Sequence, residues 1–338
     1  MTVSEDMQTS LEERLSALVS ETDCLSAVSS RLADRLRPRF EAEERFRRAG
    51  GKIKTKSIFR RYEKRIVAPV IKTGLKALGL YGRGRREAVT PVVSRIELSF
   101  ANLPSAFDGF RILHLSDLHI DGVAGLAESL ASVLDQIEAD LCLITGDYRF
   151  EDEGPSDELY CHMRDLLPRI HAQHGVFGTL GNHDDAAIAI ELERMGIRML
   201  VNDAAELERG IESIWIAGTD DDFDYKCDDL GLAMEEVPRH AFTVLMAHTP
   251  DLYRQAVELD VNLYLCGHTH GGQIRVPGIG ALRSNAICPR KYTYRHWRYQ
   301  QMHGYTSGGI GCSSLPVRLN CPPELVLITL RSSQPGNL

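Results

Sequence analysis

Polar residues able to hold a metal ion recur at the ends of separate apolar runs. RILHLSD ends in Asp117, with His119 two residues on. LCLITGD ends in Asp147, and GTLGNHD presents Asn182, His183 and Asp184. TVLMAH ends in His248, and LYLCGHTH presents His268 and His270. Carboxylate, imidazole and amide oxygen together suit divalent ions of borderline hardness, manganese first, with iron, zinc or cobalt as alternatives. Cysteine is absent from these tips, which disfavours a structural thiolate zinc site. The donors are too many for one four-coordinate ion and about right for two that share a carboxylate. Such a pair lowers the pKa of a water between the ions and clamps a phosphoryl group. Each fragment alone is common by chance. The whole series in order, each member behind a β run, needs a common explanation.

Those tips require strands to hold them. Runs that read as β are 95–100, 111–117, 140–147, 175–184, 197–203, 213–218, 242–248, 262–270, 304–311 and 325–330. Helical patterns lie between them at 125–138, 156–171, 185–195, 228–236 and 250–258. This alternation argues for α/β layers, whose sites lie outside the carboxyl ends of the strands. His114 lies inside the run before Asp117. It points to the opposite face from its immediate neighbours and reads as structural.

The series SDLH (116–119), GD (146–147), GNHD (181–184), MAH (246–248) and GHTHGGQ (267–273) resembles the calcineurin-like metallophosphoesterase superfamily over about residues 95–331. The resemblance implies a four-layer αββα sandwich, here with an N-terminal helical extension. It also implies that Asp117, His119 and His270 bind one ion, that Asn182, His248 and His268 bind the other, and that Asp147 bridges them. His183 would stand beside the substrate phosphate as a general acid or stabilising donor, with Asp184 as its electrostatic partner. The stretches SAFDGFRILHLSDLHID, GHTHGGQIRVPGIG and GYTSGGIGCSSLPVRLNCPPELVLITL look like the YaeI/YkuE-like branch. Within it, the Cys-Pro-Arg, Trp and Leu-Asn-Cys-Pro-Pro-Glu elements are similar to LpxG-type UDP-2,3-diacylglucosamine pyrophosphatases. Those release lipid X and UMP in lipid A biosynthesis.

Residues 281–303 mix Arg283, Arg290, Lys291, Arg295 and Arg298 with Tyr292, Tyr294, Trp297 and Tyr299. Arginine can fork onto phosphate, and aromatic rings can stack on a base or cover an acyl chain. Arg290, Lys291, Arg295 and Trp297 are therefore the expected substrate contacts. The alternative is a surface strand with ordinary cation–π pairs.

The 338-residue chain carries a net charge of -8, which hides a marked asymmetry. Residues 45–86 hold 15 Lys/Arg and only Glu63 as an acid, a charge of +14, against -17 for 87–338. Residues 1–90 read as a helical, basic amphipathic extension, and 91–338 as the metallophosphoesterase domain. Leu11, Leu18, Leu25 and Leu32 repeat every seven residues. The intermediate positions Arg14, Glu21 and Arg35 are charged, so a plain amphipathic helix over 8–46 is expected rather than a coiled coil. Further on, Phe59, Tyr62 and Ile66 share a helical face. After Pro69, so do Val70, Ile71, Leu75 and Leu78, with Lys72 and Lys76 elsewhere. That segment either lies in a membrane interface or packs on the domain. The basic stretch 45–86 is expected to meet an anionic membrane surface that holds a phosphorylated amphiphilic substrate. Deleting residues 1–86 is expected to spare turnover of a soluble substrate.

No nucleic-acid partner is expected of so acidic a body. A nucleic-acid hydrolase with a tracking arm and a non-catalytic metal-bearing scaffold are the rivals from other classes. No signal peptide or membrane span is read, and the eight cysteines without a CxxC read as reduced thiols. Together these point to a cytoplasmic protein, peripheral on the inner face of the membrane.

Overall fold

The runs that carry the candidate ligands are interior strands of two six-stranded sheets. The computed structural model describes residues 30–48, 66–281 and 285–333. The first sheet runs in the order Val92–Phe100, Glu324–Ser332, Arg111–Leu115, Leu141–Thr145, Val176–Thr179, Ile197–Met199. Only the pairing of Glu324–Ser332 with Arg111–Leu115 is antiparallel. The second runs in the order Arg295–Tyr299, Met302–Thr306, Leu263–Cys266, Thr243–Met246, Glu212–Gly218, Asp203–Arg209. Its inner four strands are parallel, and an antiparallel strand closes each edge. LCLIT, TVLM and LYLC are buried along their whole length, as expected of parallel strands covered on both faces.

One apolar core lies between the sheets. Ile112, Leu143 and Phe177 of the first meet Ile216, Val244 and Leu265 of the second. Helices Leu126–Leu134, Asp157–Leu166 and Ala186–Arg194 bury leucines and isoleucines in a second core, on the outer face of the first sheet. Helices Leu230–Ala233 and Tyr253–Glu258 cover the second sheet. The architecture is the αββα sandwich, and its parallel strands deliver their carboxyl ends to one rim.

Two edge strands escaped the pattern of alternating runs. The run 197–203 stops at Met199, and a separate strand, Asp203–Arg209, begins the second sheet. Its polar sequence fits an exposed edge. Arg295–Tyr299 is the opposite edge.

The N-terminal helix spans Ser30–Arg48 and buries Leu32, Leu36 and Phe40 in the core outside the first sheet. Leu11, Leu18, Leu25, Phe59, Tyr62 and Arg283 lie outside the described residues. Helix Ala68–Ala77 starts with Pro69 in its first turn and stops before Gly79, which takes a left-handed φ of 70°. Leu75 packs on Leu315, Val317 and Leu319, while Ile66, Val70, Ile71 and Leu78 stay exposed. Packed and open faces therefore coexist in this helix. Among the described residues no helix is long and apolar enough to cross a membrane. The seven described cysteines are free, and Cys142, Cys227, Cys266, Cys312 and Cys321 are buried. His114 is buried, with Nε2 2.9 Å from Thr145 Oγ1. Burial lowers its pKa to about 3, so it is a neutral core side chain.

Candidate metal centre

All seven candidate ligands converge where strand ends from both sheets meet. Asp117, His119 and His270 present donor atoms within 4.8 Å of one another, and so do Asp147, His248 and His268. Asp147 Oδ2 is the hub. It lies 3.5 Å from His119 Nε2 and 3.3 Å from His248 Nε2. Asn182 Oδ1 and His268 Nδ1 are each 3.1 Å from His248 Nε2. Asp117 Oδ1 is 3.5 Å from His270 Nε2.

The backbone pays for this convergence. Asp117, His119, Asp147, His268 and His270 all have φ between 36° and 66°. Residues with side chains rarely adopt that region, and where they do it tends to mark functional sites. These residues lie two or four positions beyond their strand ends, where the left-handed turns bring the side chains to the shared centre. Glycine fills the tightest gaps. A methyl on Gly181 would overlap Asp147 Oδ1, and one on Gly267 would overlap Ser116 Oγ and Asp117 Oδ2.

The donor set fits two divalent cations. His119 Nδ1 donates to Arg149 O at 2.7 Å, which leaves Nε2 buried with no hydrogen-bond partner. His248 Nδ1 donates to Thr145 O at 2.9 Å and aims Nε2 at Asp147, Asn182 and His268. His268 Nε2 donates to Asn285 O at 3.2 Å and turns Nδ1 inward. These inward nitrogen and oxygen atoms can all serve as metal donors, and the backbone carbonyls behind the imidazoles fix the tautomers for that role. No cysteine belongs to these groups.

Without ions the cluster organises its own charge. Burial disfavours the carboxylate of Asp147, but His248, His183 and His119 hold its pKa well below the usual range. Burial disfavours the His248 imidazolium, but Asp147 and Asp117 outweigh it and raise its pKa well above the usual value. An incoming ion must displace that proton. Affinity for Mn²⁺ is therefore expected to fall as pH falls, about tenfold per unit for each proton displaced. Calorimetric titration in buffers of different ionisation enthalpy checks this. Affinity that is flat between pH 6 and 8, with no proton release, would contradict it.

His183 is half-buried at the edge of the cluster, with Nε2 3.9 Å from Asp147 Oδ2. Its Nδ1 donates to Phe150 O at 2.7 Å and lies 3.1 Å from Asp152 Oδ1. Asp152 therefore occupies the place expected of Asp184. The Asp184 carboxylate is committed elsewhere, accepting backbone N–H groups from Asp147, Tyr148, Arg149 and Gly181. It braces the two ligand loops against each other.

The expected substrate contacts divide. Trp297 is buried against Tyr264 and Tyr292, and its indole N–H donates to Thr306 Oγ1 at 2.9 Å. It is a core residue of the second sheet's outer face. Lys291 lies over the Tyr292 ring, and Arg290 donates to Ala281 O. Arg295 lies 5.0 Å from the Tyr294 ring centroid, with Arg275 4.2 Å from the same centroid. Tyr294 packs against Gly271, next to His270. From this basic and aromatic segment, Tyr294 with its flanking arginines is the part that reaches the rim.

The calcineurin-like phosphoesterase family model matches residues 110–272, which hold all seven candidate ligands. Phosphodiesterase YaeI of Escherichia coli is 30% identical over 231 residues, 65% of this chain and 82% of that protein. The chain belongs to the calcineurin-like phosphoesterase family. The metallophosphoesterase YkuE of Bacillus subtilis is 28% identical over 246 residues, 68% of this chain and 82% of YkuE. A transmembrane protein with a metallophosphoesterase domain from Danio rerio is 26% identical over 298 residues, 80% of this chain and 64% of that protein. With this family and this donor set, the protein is a metal-dependent phosphohydrolase.

Pattern reading passed over three buried arginines that secure this phosphoesterase centre. Arg149 donates to the carbonyls of His183 and Asp152, both at 2.9 Å. Arg318 holds Gly308 O and Cys321 O, and its guanidinium lies 3.4 Å from His270 Nδ1. Arg39 comes from the N-terminal helix. Buried arginine is rare unless paired. The clue in sequence was weak, because Arg39 and Arg149 lie in charged stretches that look like solvated faces and Arg318 is a lone charge in an apolar run.

Proposed function

We propose that this phosphohydrolase cleaves the phosphoanhydride or phosphodiester bond of an amphiphile. UDP-2,3-diacylglucosamine is the favoured substrate, giving lipid X and UMP. The observation that carries the reading is an apolar groove of about 520 Å³ that begins at the ligand His270. Val67, Ile71, Leu75 and Leu78 of the amphipathic segment form one wall, with Ile274 and Leu315 opposite. A polar nucleotide does not require such a wall. An acyl chain does, and each buried methylene contributes about 0.8 kcal/mol.

Two divalent ions bound in the centre would supply an activated water and offset charge on the phosphoryl group. Asp147 places one carboxylate oxygen between both donor groups. His183, its Nδ1 held by Phe150 O and Asp152, directs Nε2 to the cluster and can give a proton to the leaving oxygen. Arg275, Arg295 and Tyr294 stand at the rim, where a nucleotide diphosphate could be held.

The exposed Ile66, Val70, Ile71 and Leu78, with Lys72 and Lys76 on the same helical segment, suit an anionic lipid surface. Anionic lipids attract each nearby Lys or Arg by about 1 kcal/mol. The kinship to YaeI favours a second reading, a broader phosphodiesterase acting on another nucleotide or lipid headgroup.

Phosphorus NMR of the protein with Mn²⁺ and UDP-2,3-diacylglucosamine is expected to show UMP and a sugar monophosphate. Ile71→Glu should raise KM for this substrate about tenfold, the effect of losing one buried aliphatic side chain. Turnover of bis(p-nitrophenyl) phosphate should not change. Cleavage of the simple diester with the lipid nucleotide left intact would reject the substrate assignment.

A further inference from the structure

The N-terminal helix lies outside the residues matched by the family model, yet one of its side chains reaches the back of the metal centre. Arg39 is fully buried and pairs with Asp220. Its Nη2 donates to the carbonyls of Gly181 and Asp184, both at 2.6 Å. Those carbonyls bracket Asn182 and His183. The Tyr225 ring centroid lies 4.0 Å from the guanidinium.

The anchor is itself fixed. Asp220 accepts the N–H of Asp221 at 2.7 Å, and its own N–H donates to Asn202 Oδ1 at 2.9 Å. The same helix takes hold a second time. Glu43 accepts the N–H of Ala186 at 2.7 Å, where the helix after the Asn182 loop begins. The loop is thus gripped at both ends by one helix.

Asn182 supplies a neutral amide oxygen, the weakest donor in its set, so its value depends on placement. A planar guanidinium can hold a carboxylate and two carbonyls in one fixed fork, whereas an ammonium cannot reproduce that geometry. Asp117, His119 and His270 stand on other loops, and no hydrogen-bond partner of Arg39 lies on them.

We propose that Arg39 is a positioning residue for the second ion. Through the carbonyls of Gly181 and Asp184 it holds the Asn182 loop where the amide oxygen completes the set formed with Asp147, His248 and His268. The N-terminal extension is then part of the metal centre and not only a tether.

The test is calorimetric titration of Mn²⁺ into the full-length, chelator-stripped protein. Arg39→Lys keeps a cation for Asp220 but loses the fork. Its affinity for the second ion is expected to fall about 10–100-fold, the usual effect of losing an outer-shell partner. The first ion should bind as in the wild type. Asp220→Asn, which frees the guanidinium from its anchor, should give the same selective loss, and it decides the matter if Arg39→Lys does not fold. Unchanged affinity for the second ion, or equal weakening of both ions, would overturn the assignment.

Discussion

Asp147→Asn is expected to yield a folded protein that no longer retains two ions and turns over on the order of 10³-fold more slowly. That is the scale seen when one pre-organised charge-stabilising group is lost. Oδ2 lies 3.3 Å from His248 Nε2 and 3.5 Å from His119 Nε2, one imidazole from each donor group. An amide at this position has no charge to share between two cations and can present an N–H₂ to lone pairs already committed to metal. The fold should survive, because the loop around residue 147 is braced by the Asp184 carboxylate through three backbone amides. Metal content by plasma mass spectrometry, with the rate on bis(p-nitrophenyl) phosphate, measures both effects. Two tightly held ions in this variant would remove Asp147 from its bridging role.

His183→Ala should behave differently. Its rate is expected to fall by about 10²–10⁴, the usual contribution of a positioned general acid. Its metal content should remain at two. The geometry makes this a sharp distinction, because His119, Asp147 and His183 also form a group compact enough to hold an ion. The two roles divide on the proton. A donor requires a proton on Nε2 while Nδ1–H is held by Phe150 O. A ligand requires Nε2 bare. Loss of an ion on removing His183 would assign it to the metal and leave the leaving-group proton without a donor.

The ligand series was legible because each member follows a short, mostly apolar run and breaks it with a polar tip. Such a pattern fits buried strands of an α/β sheet ending at a site. The edge strands Asp203–Arg209 and Arg295–Tyr299 were harder, because exposed edges tolerate charge and lose the alternation that marks a strand. Trp297 shows the converse. Its neighbours Arg295 and Arg298 suggested a surface, but the indole turns into the core while Arg298, on the opposite face of the strand, stays exposed. The role of Arg39 could not be read locally, because its carboxylate partner is 181 residues away and its carbonyls are 142 and 145 away. That placement also revises the expectation for residues 1–86. Deleting them removes Arg39 and the helix face of Leu32, Leu36 and Phe40, so turnover of a soluble substrate should not be spared. Substitutions at Lys72 and Lys76 are the cleaner probe of membrane contact.

The central claim is that paired ions held by Asp117, His119, Asp147, Asn182, His248, His268 and His270 make this chain a phosphohydrolase. The direct test is titration of Mn²⁺ into chelator-stripped protein, with bound metal and phosphodiester turnover followed in the same samples. The expected result is two ions per chain, with turnover absent in the stripped protein and rising as the second site fills. Full activity without metal, or saturation at a single ion, would contradict it.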